Sequence, residues 1–424
     1  METETAAVSR RSFLQKSAGV GATTFTIVKP ELVRGQGTER LRAGLVGCGG
    51  RGTQAAVQFL TGSENVELVS MGDVFEDKLE TSLVRIREGA AKAGVGEKVK
   101  VTPETRFASF DAYKKVIASD VDIVMLCTPP GYRPMHFEAA IEAGKHVFAE
   151  KPFGTDPVGV KRFMAAAKKS VEKKLTVMSG AQRRSQKEYV ETVRKIQDGA
   201  IGDITATFAY WVGGPVIQQK ARDPKWQDMT WQHRAWYSFV WICGDQIVEQ
   251  HLHNLDVINW VMGGPPAKVF ASGGAVWRPR EEIYGNIYDH ISADFVYPNG
   301  VHLSSHCRQF PRGSYTNVSE LVVGSKARSN CKDLGTPASV SPYVQEHIEM
   351  VKSIRGTGPY INQGMAVAES TMTAIMARES AYSGQEITWD QAMASNLDLM
   401  PKAFGYDLPM DVPPLPVPGV YKFS

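Results

Sequence analysis

Apolar residues in the first 180 positions fall in short continuous runs separated by longer mixed stretches. Residues 41–46 (LRAGLV), 66–71, 123–127, 146–149 and 175–178 are such runs. Too short for core helices, they read as strands buried on both faces. Between them, 53–60, 134–143 and 157–169 carry helical spacing, with Pro134 and Pro157 suited to first turns, Asp156 to an N-cap and Gly144 to a stop. Strand, helix and strand this close together predict parallel crossovers and a doubly wound α/β sheet.

The pattern changes after residue 180. A helix is expected over 186–197, stopped by Gly199. Residues 203–211 then alternate, and further strands are expected at 267–275, 290–297, 301–309 and 321–323. Many long strands and few helices predict an α+β domain built on one mixed sheet. The proline-rich stretch 409–418 reads as an extended surface segment. The expected organisation is therefore a leader and linker over 1–36, a nucleotide-binding domain over 37–180 and a second domain over 181–424.

Of the 424 residues, 43% are hydrophobic and 22% charged, and the net charge is +3, which gives no footing for nucleic acid. Five scattered cysteines form neither a disulfide framework nor a zinc motif. No apolar run is long enough to span a membrane. Arg10-Arg11 followed by Phe13-Leu14 and a mild apolar stretch looks like a twin-arginine export signal. It predicts a periplasmic or otherwise extracytoplasmic protein that is exported folded, with its cofactor already loaded and tightly held.

The chemistry-bearing residues fall at the ends of the expected strands. Gly47, Gly49 and Gly52 form G-x-G-x-x-G between a strand and a helix, with Arg51 inside the loop. The first glycine permits a tight turn, the second lets a pyrophosphate approach the backbone, and the third lets helix and strand pack closely. Asp73, 21 positions past Gly52, suits a ribose 2′-hydroxyl and would repel a 2′-phosphate, which favours NAD over NADP. Thr128-Pro129 and Glu150-Lys151 close two further strands, where α/β sheets place their ligands.

Gly47-x-Gly49-x-x-Gly52, Asp73, Thr128-Pro129-Pro130, His136, the run from Ala143 to Val147 and Glu150-Lys151-Pro152 occur in order, and together they resemble the Gfo/Idh/MocA oxidoreductases. The resemblance implies a Rossmann domain, then an α+β domain with a large open sheet through which subunits oligomerise, and a sugar or polyol substrate. It places Thr128, Pro129, His136, Glu150 and Lys151 with the glycine loop at the cofactor. It also implies an acidic residue, a histidine four later and an aspartate three beyond, which Glu249, His253 and Asp256 match. Glutamate stands there for the more usual aspartate, and His251 for glycine. On an α-helix these three share a face. His253 would serve as proton acceptor, Lys151 would hold the alcohol oxygen and Glu249 would orient His253, while Asp256 reads as structural. His251 and His253, two apart, point in different directions, so no metal is expected.

Residues 226–241 hold four tryptophans, with His233, Arg234 and Tyr237. Trp231, His233 and Tyr237 are candidates for a sugar-binding wall. Gln182, Arg183 and Arg184 follow the last expected strand of the nucleotide domain, and Arg183 is a further substrate candidate. The expected activity is hydride transfer between a carbohydrate or polyol carbon and nicotinamide. Net glycoside hydrolysis through transient ring oxidation is the alternative within the same chemistry. A non-catalytic dinucleotide-binding protein is the alternative outside it.

Overall fold

The computed structural model describes residues 39–215 and 222–424. The proposed export signal lies outside them.

Six strands form a parallel sheet: β1 (Leu41–Val46), β2 (Val66–Asp73), β3 (Arg106–Ala108), β4 (Ile123–Leu126), β5 (His146–Ala149) and β6 (Val177–Ser179), in the spatial order β3-β2-β1-β4-β5-β6. β1 lies between β2 and β4, with Ala43 paired to both Leu68 and Ile123. The helices Gly50–Gly62, Arg133–Glu142 and Pro157–Glu172 follow β1, β4 and β5. Asp156 caps the last of these, its carboxylate accepting from the Gly159 N–H at 2.6 Å. β3 and the helix Glu76–Lys92 were not expected, although the helix buries Leu79, Leu83, Ile86 and Ala90 at helical spacing on one face. The carboxyl ends of β1, β2, β4 and β5 present Gly47, Asp73, Thr128 and Glu150 along one edge.

The second sheet has seven strands: β7 (Ile204–Gly213), β8 (Lys268–Gly274), β9 (His290–Val296), β10 (His302–Gln309), β11 (Asn317–Gly324), β12 (Arg328–Ser329) and β13 (Ile387–Thr388), ordered β12-β11-β7-β10-β9-β8-β13. β10 and β7 pair in parallel and the remaining neighbours are antiparallel, so the sheet is mixed.

The expectation of few helices in this half is corrected. The helix Gly364–Ser383 is almost wholly buried, its charged Arg378 and Glu379 included as an internal pair, so it carries no amphipathic stripe to read. It packs against β8, the helix Pro157–Glu172 and the helix Leu252–Met262, tying the two sheets into one core. The helix Pro342–Ile354 returns to the first sheet, where Met350, Val351 and Ile354 join the core beneath the helix Gly50–Gly62. The stretch 409–418 has no regular structure. Met410 and Val412 pack on the Trp231 cluster, and Tyr288 donates its hydroxyl to the Pro416 carbonyl at 2.7 Å.

Candidate active site

A cleft of about 490 Å³ runs along the carboxyl edge of the parallel sheet, between the two halves. At one end the glycine loop forms its floor. Gly47 has φ +97°, and a Cβ there would lie 2.5 Å from the Cys127 carbonyl carbon. A Cβ on Gly52 would lie 2.0 Å from the Gly47 oxygen. Both glycines are therefore demanded by packing. Gly49 differs: a Cβ there would meet nothing within 4 Å among the described residues, and as N-cap of Gly50–Gly62 it supplies no side-chain cap. The uncapped helix start and the space above Gly49 fit a pyrophosphate. Asp73 accepts from the Cys48 N–H at 2.7 Å and the Phe75 N–H at 2.9 Å, which fixes its carboxylate on the cleft wall. Each oxygen retains a lone pair for a ribose hydroxyl. The residues present thus fit a dinucleotide.

Arg51 reaches back from the loop to Glu150, donates to Glu346 at 3.2 Å and lies 4.9 Å above the Tyr343 ring. Thr128 and Pro129 line the cleft. Thr128 Oγ1 is 3.4 Å from His136 Nδ1, and the His136 ring stacks on Tyr113 at 4.1 Å. Burial holds that imidazole down to a pKa of about 3, so it is neutral. Buried Arg133 spans the base of the site, donating to the carbonyls of Thr128 and Pro152 and so bracing the turns that carry Thr128 and Lys151.

At the other end, Lys151 Nζ donates to the Glu249 carbonyl at 2.6 Å and to Glu249 Oε1 at 3.1 Å. Glu249 lies in a π-helical turn, Ile247–His251, which leads directly into the helix Leu252–Met262. π-turns are frequent at functional sites. Gly244 and Asp245 precede it with φ of +88° and +76°. Asp245 is locked by the Tyr382 hydroxyl at 2.5 Å and the Tyr288 N–H at 2.8 Å, and burial lifts its carboxyl to about 6. His253 lies parallel to Trp211, with ring centres 5.6 Å apart. Burial, reinforced by Lys151, Arg183 and Arg51, holds its imidazole well below the ordinary histidine range. Glu249 Oε2 and His253 Nδ1 have no hydrogen-bond partner among the described residues, and both residues line the cleft.

The expectation that Glu249, His253 and Asp256 converge as one α-helical face is corrected. Lys151 and Glu249 pair at the cleft and His253 lines it too, with Glu249 bonded to Lys151 rather than orienting His253 as expected, whereas Asp256 points into the core. There it takes both Arg184 N–H groups at 2.8 Å and the Ser370 hydroxyl at 2.8 Å. His251 turns to the second sheet, 2.7 Å from Ser305 Oγ. Among the described residues, no group of three or more His, Cys, Asp or Glu is placed to hold a metal.

Two substrate candidates are displaced. Arg183 pairs with Glu320 and lies over Tyr189, off the cleft. Trp231 is 1% exposed and packs edge-on against Phe239, because its helix turns it into the core. His233, Tyr237 and Gln182 do line the cleft. His233 donates from Nδ1 to the Met229 carbonyl at 2.5 Å and accepts at Nε2 from the Tyr132 hydroxyl. Tyr237 accepts from Gln309 at 2.6 Å. Sequence reasoning missed Phe75, Phe110, Tyr132, Arg133 and Tyr343, which also line the cleft. Only the P-G-Y-R-P run around Tyr132 and Arg133 carried a local signal, as a rigid turn after a strand.

Residues 41–179 match the family described as the oxidoreductase family with an NAD-binding Rossmann fold, GFO/IDH/MocA, and residues 189–329 match its C-terminal domain. The chain belongs to the Gfo/Idh/MocA oxidoreductase family. Among its relatives, the myo-inositol 2-dehydrogenase of Thermotoga maritima is 24% identical over 236 residues, covering 56% of this chain and 59% of that protein. The inositol 2-dehydrogenase of Rhizobium meliloti is 25% identical, covering 60% of this chain and 64% of that one. The chain thus matches about three-fifths of the length of these curated Gfo/Idh/MocA relatives. A crystal structure of scyllo-inositol dehydrogenase from Lactobacillus casei with bound NAD(H) and scyllo-inositol superposes with TM-score 0.62. It is 19% identical and covers 82% of this chain and 99% of that one, which shows a shared fold.

Proposed function

We propose that this Gfo/Idh/MocA protein is an NAD-dependent oxidoreductase acting on a hydroxyl carbon of a polyol or carbohydrate. The observation that carries the proposal is the meeting of Lys151, Glu249 and His253 in the cleft that also holds the glycine loop and Asp73. Bound NAD supplies the hydride acceptor or donor. The chain's own residues handle the proton and the oxygen. His253, kept neutral by burial, is available to take the hydroxyl proton. Lys151 donates N–H to the same oxygen and stabilises negative charge developing there. Glu249 holds Lys151 through Oε1 and leaves Oε2 for a neighbouring hydroxyl. Gln182, Trp236 and Tyr237 supply the polar and aromatic walls that a ring polyol needs.

The test is nicotinamide absorbance at 340 nm with NAD or NADP and a panel led by inositols, followed by aldoses, polyols and glycosides. Reduction of NAD by at least one polyol is expected. Glycoside cleavage without net reduction would instead mark transient ring oxidation, and no turnover with any of them would defeat the proposal.

Two further readings belong here. The outer face of the second sheet presents Phe208, Tyr210, Phe270 and Leu321 among His302, Ser304 and His306, and Phe270 is 52% exposed. We infer that a second copy covers it. Light scattering should report an oligomer that Phe270→Asp weakens, and a monomer at all concentrations would refute this. We propose export from Arg10-Arg11 together with Phe13-Leu14 and the mild apolar stretch that follows. Replacing both arginines with lysine should retain the protein in the cytoplasm, and unchanged export would refute it.

A further inference from the structure

The end of the cleft beyond Asp73 is bridged by side chains from both halves. Arg234, the last residue of the helix Asp228–Arg234, donates to both carboxylate oxygens of Asp77, at 3.0 and 2.9 Å. Its guanidinium lies 4.0 Å above the centre of the Phe75 ring. Phe75 and Asp77 belong to the loop and first helical turn immediately after Asp73. Phe75 and Lys78 line the cleft from one side, and His233, Arg234 and Trp236 from the other.

The bridging helix is in turn fastened by the chain's C-terminal segment. Met229 N–H donates to the Leu408 carbonyl at 3.2 Å, Thr230 Oγ1 to the Tyr406 carbonyl at 2.8 Å, and Gln232 Nε2 to the Met410 carbonyl at 2.8 Å. Met410 N–H donates to Asp228 at 3.0 Å. Tyr406 itself crosses to the nucleotide half, its hydroxyl donating to the Val74 carbonyl at 2.6 Å and its ring lying 5.0 Å from that of Phe110. A surface ion pair alone contributes little. Here the pair is combined with a cation–π stack and a hydrogen-bonded strap on the same loop.

We propose that the Arg234–Asp77 latch, backed by the Tyr406 strap, closes the adenosine end of the cleft, so that the dinucleotide stays bound through successive turnovers. The proposal rests on the NAD reading above. A bridge carrying a bidentate guanidinium–carboxylate pair must open before the adenosine moiety leaves, and its stability should appear in the dissociation rate rather than in the association rate.

The test uses the full chain loaded with NADH and chased with excess NAD, following the fluorescence of bound NADH. Wild-type protein should keep NADH through gel filtration and release it more slowly than it turns over. Arg234→Ala and Asp77→Ala should each release it about tenfold faster or more, and the double variant no faster than the faster single. Tyr406→Phe should give a smaller acceleration. The charge-swapped pair Arg234→Asp with Asp77→Arg should recover part of the slow release, which separates the latch from a general loss of structure. Tight wild-type binding with unchanged release in both single variants would overturn the latch while leaving the NAD reading intact. Failure of the wild type to bind NADH would overturn both.

Discussion

The two halves of the molecule are equipped to meet the proposed ligands by different means. In the nucleotide half the glycine-loop backbone forms the floor of the proposed dinucleotide site, with the Asp73 carboxylate fixed beside it. Gly47 and Gly52 are fixed by contacts that leave no room for a Cβ, and the helix start beyond Gly49 is uncapped and open. In the other half side chains line the proposed substrate end, and distant pairs set them. Glu249 and His253 owe their places to a turn locked by Tyr288 and Tyr382, to a π-helical turn, and to an anchor made by Arg184, Asp256 and Ser370. Backbone recognition leaves glycines at fixed spacing in the sequence. Side-chain recognition built on long-range pairs leaves residues whose roles depend on what the fold brings to them.

The largest effect should come from breaking the backbone side of this contrast. In Gly52→Ala the new Cβ would meet the Gly47 oxygen at 2.0 Å, so the loop must move. Dinucleotide binding should be lost, measured by NADH fluorescence titration, and near-normal affinity would show that the loop adapts. Next comes the anchor in the other half. Asp256→Ala leaves Arg184 without its bidentate partner in a mostly buried place, and it should cost about 3 kcal/mol in urea unfolding. A loss of activity with unchanged stability would instead put Asp256 in the chemistry.

Acid should act on both halves together. Burial holds His136, His251 and His347 to about 3, and His146 and His233 to about 4. Below the ordinary histidine value the unfolded chain takes up protons that the folded chain refuses. Stability should therefore fall as pH drops through about 6.5, by about 1.4 kcal/mol per pH unit for each such histidine. Asp245, raised to about 6, works in the opposite sense, gaining stability as pH falls below that value, and the carboxyls of Asp73, Asp156, Glu346 and Glu369, also raised by burial, offset part of the histidine loss in the same way. Melting temperature should be flat from pH 7 to 8 and fall steeply below 6.5 in a single transition, because the helix Gly364–Ser383 is shared by both sheets' packing. Two separate transitions would mean that the halves unfold independently.

The smallest effect sharpens the first. Gly49→Ala adds a methyl where nothing lies within 4 Å, so the melting temperature should not change while NADH affinity weakens. Unchanged affinity would mean that the dinucleotide does not approach Gly49.

The same contrast explains what the sequence disclosed. β1, β4 and β5 were legible because strands buried on both faces are continuous apolar runs, and Gly47, Gly49, Gly52 and Asp73 because their spacing is tied to one turn geometry. The helix Gly364–Ser383 was not legible, since burial on all sides removes its periodicity. Arg183 and Arg184 follow the same strand as Gln182, yet only Gln182 reaches the cleft. Their partners, Glu320 and Asp256, lie far along the chain. Trp231 illustrates the limit of composition: an aromatic-rich segment offers a wall and a core at once, and only packing decides which ring goes where.

In the proposed reaction Lys151 and His253 act as one unit on a single proton path beside NAD. The most direct measurement is single-turnover reduction of bound NAD by whichever polyol supports it, in Lys151→Ala, His253→Ala and the double variant, with NAD occupancy verified in each. Each single change should retain NAD and slow reduction about 10²–10⁴-fold, and the double should be much less impaired than the product of the two losses. Full activity in either single variant, or losses that multiply, would contradict the claim that the two residues share the chemistry.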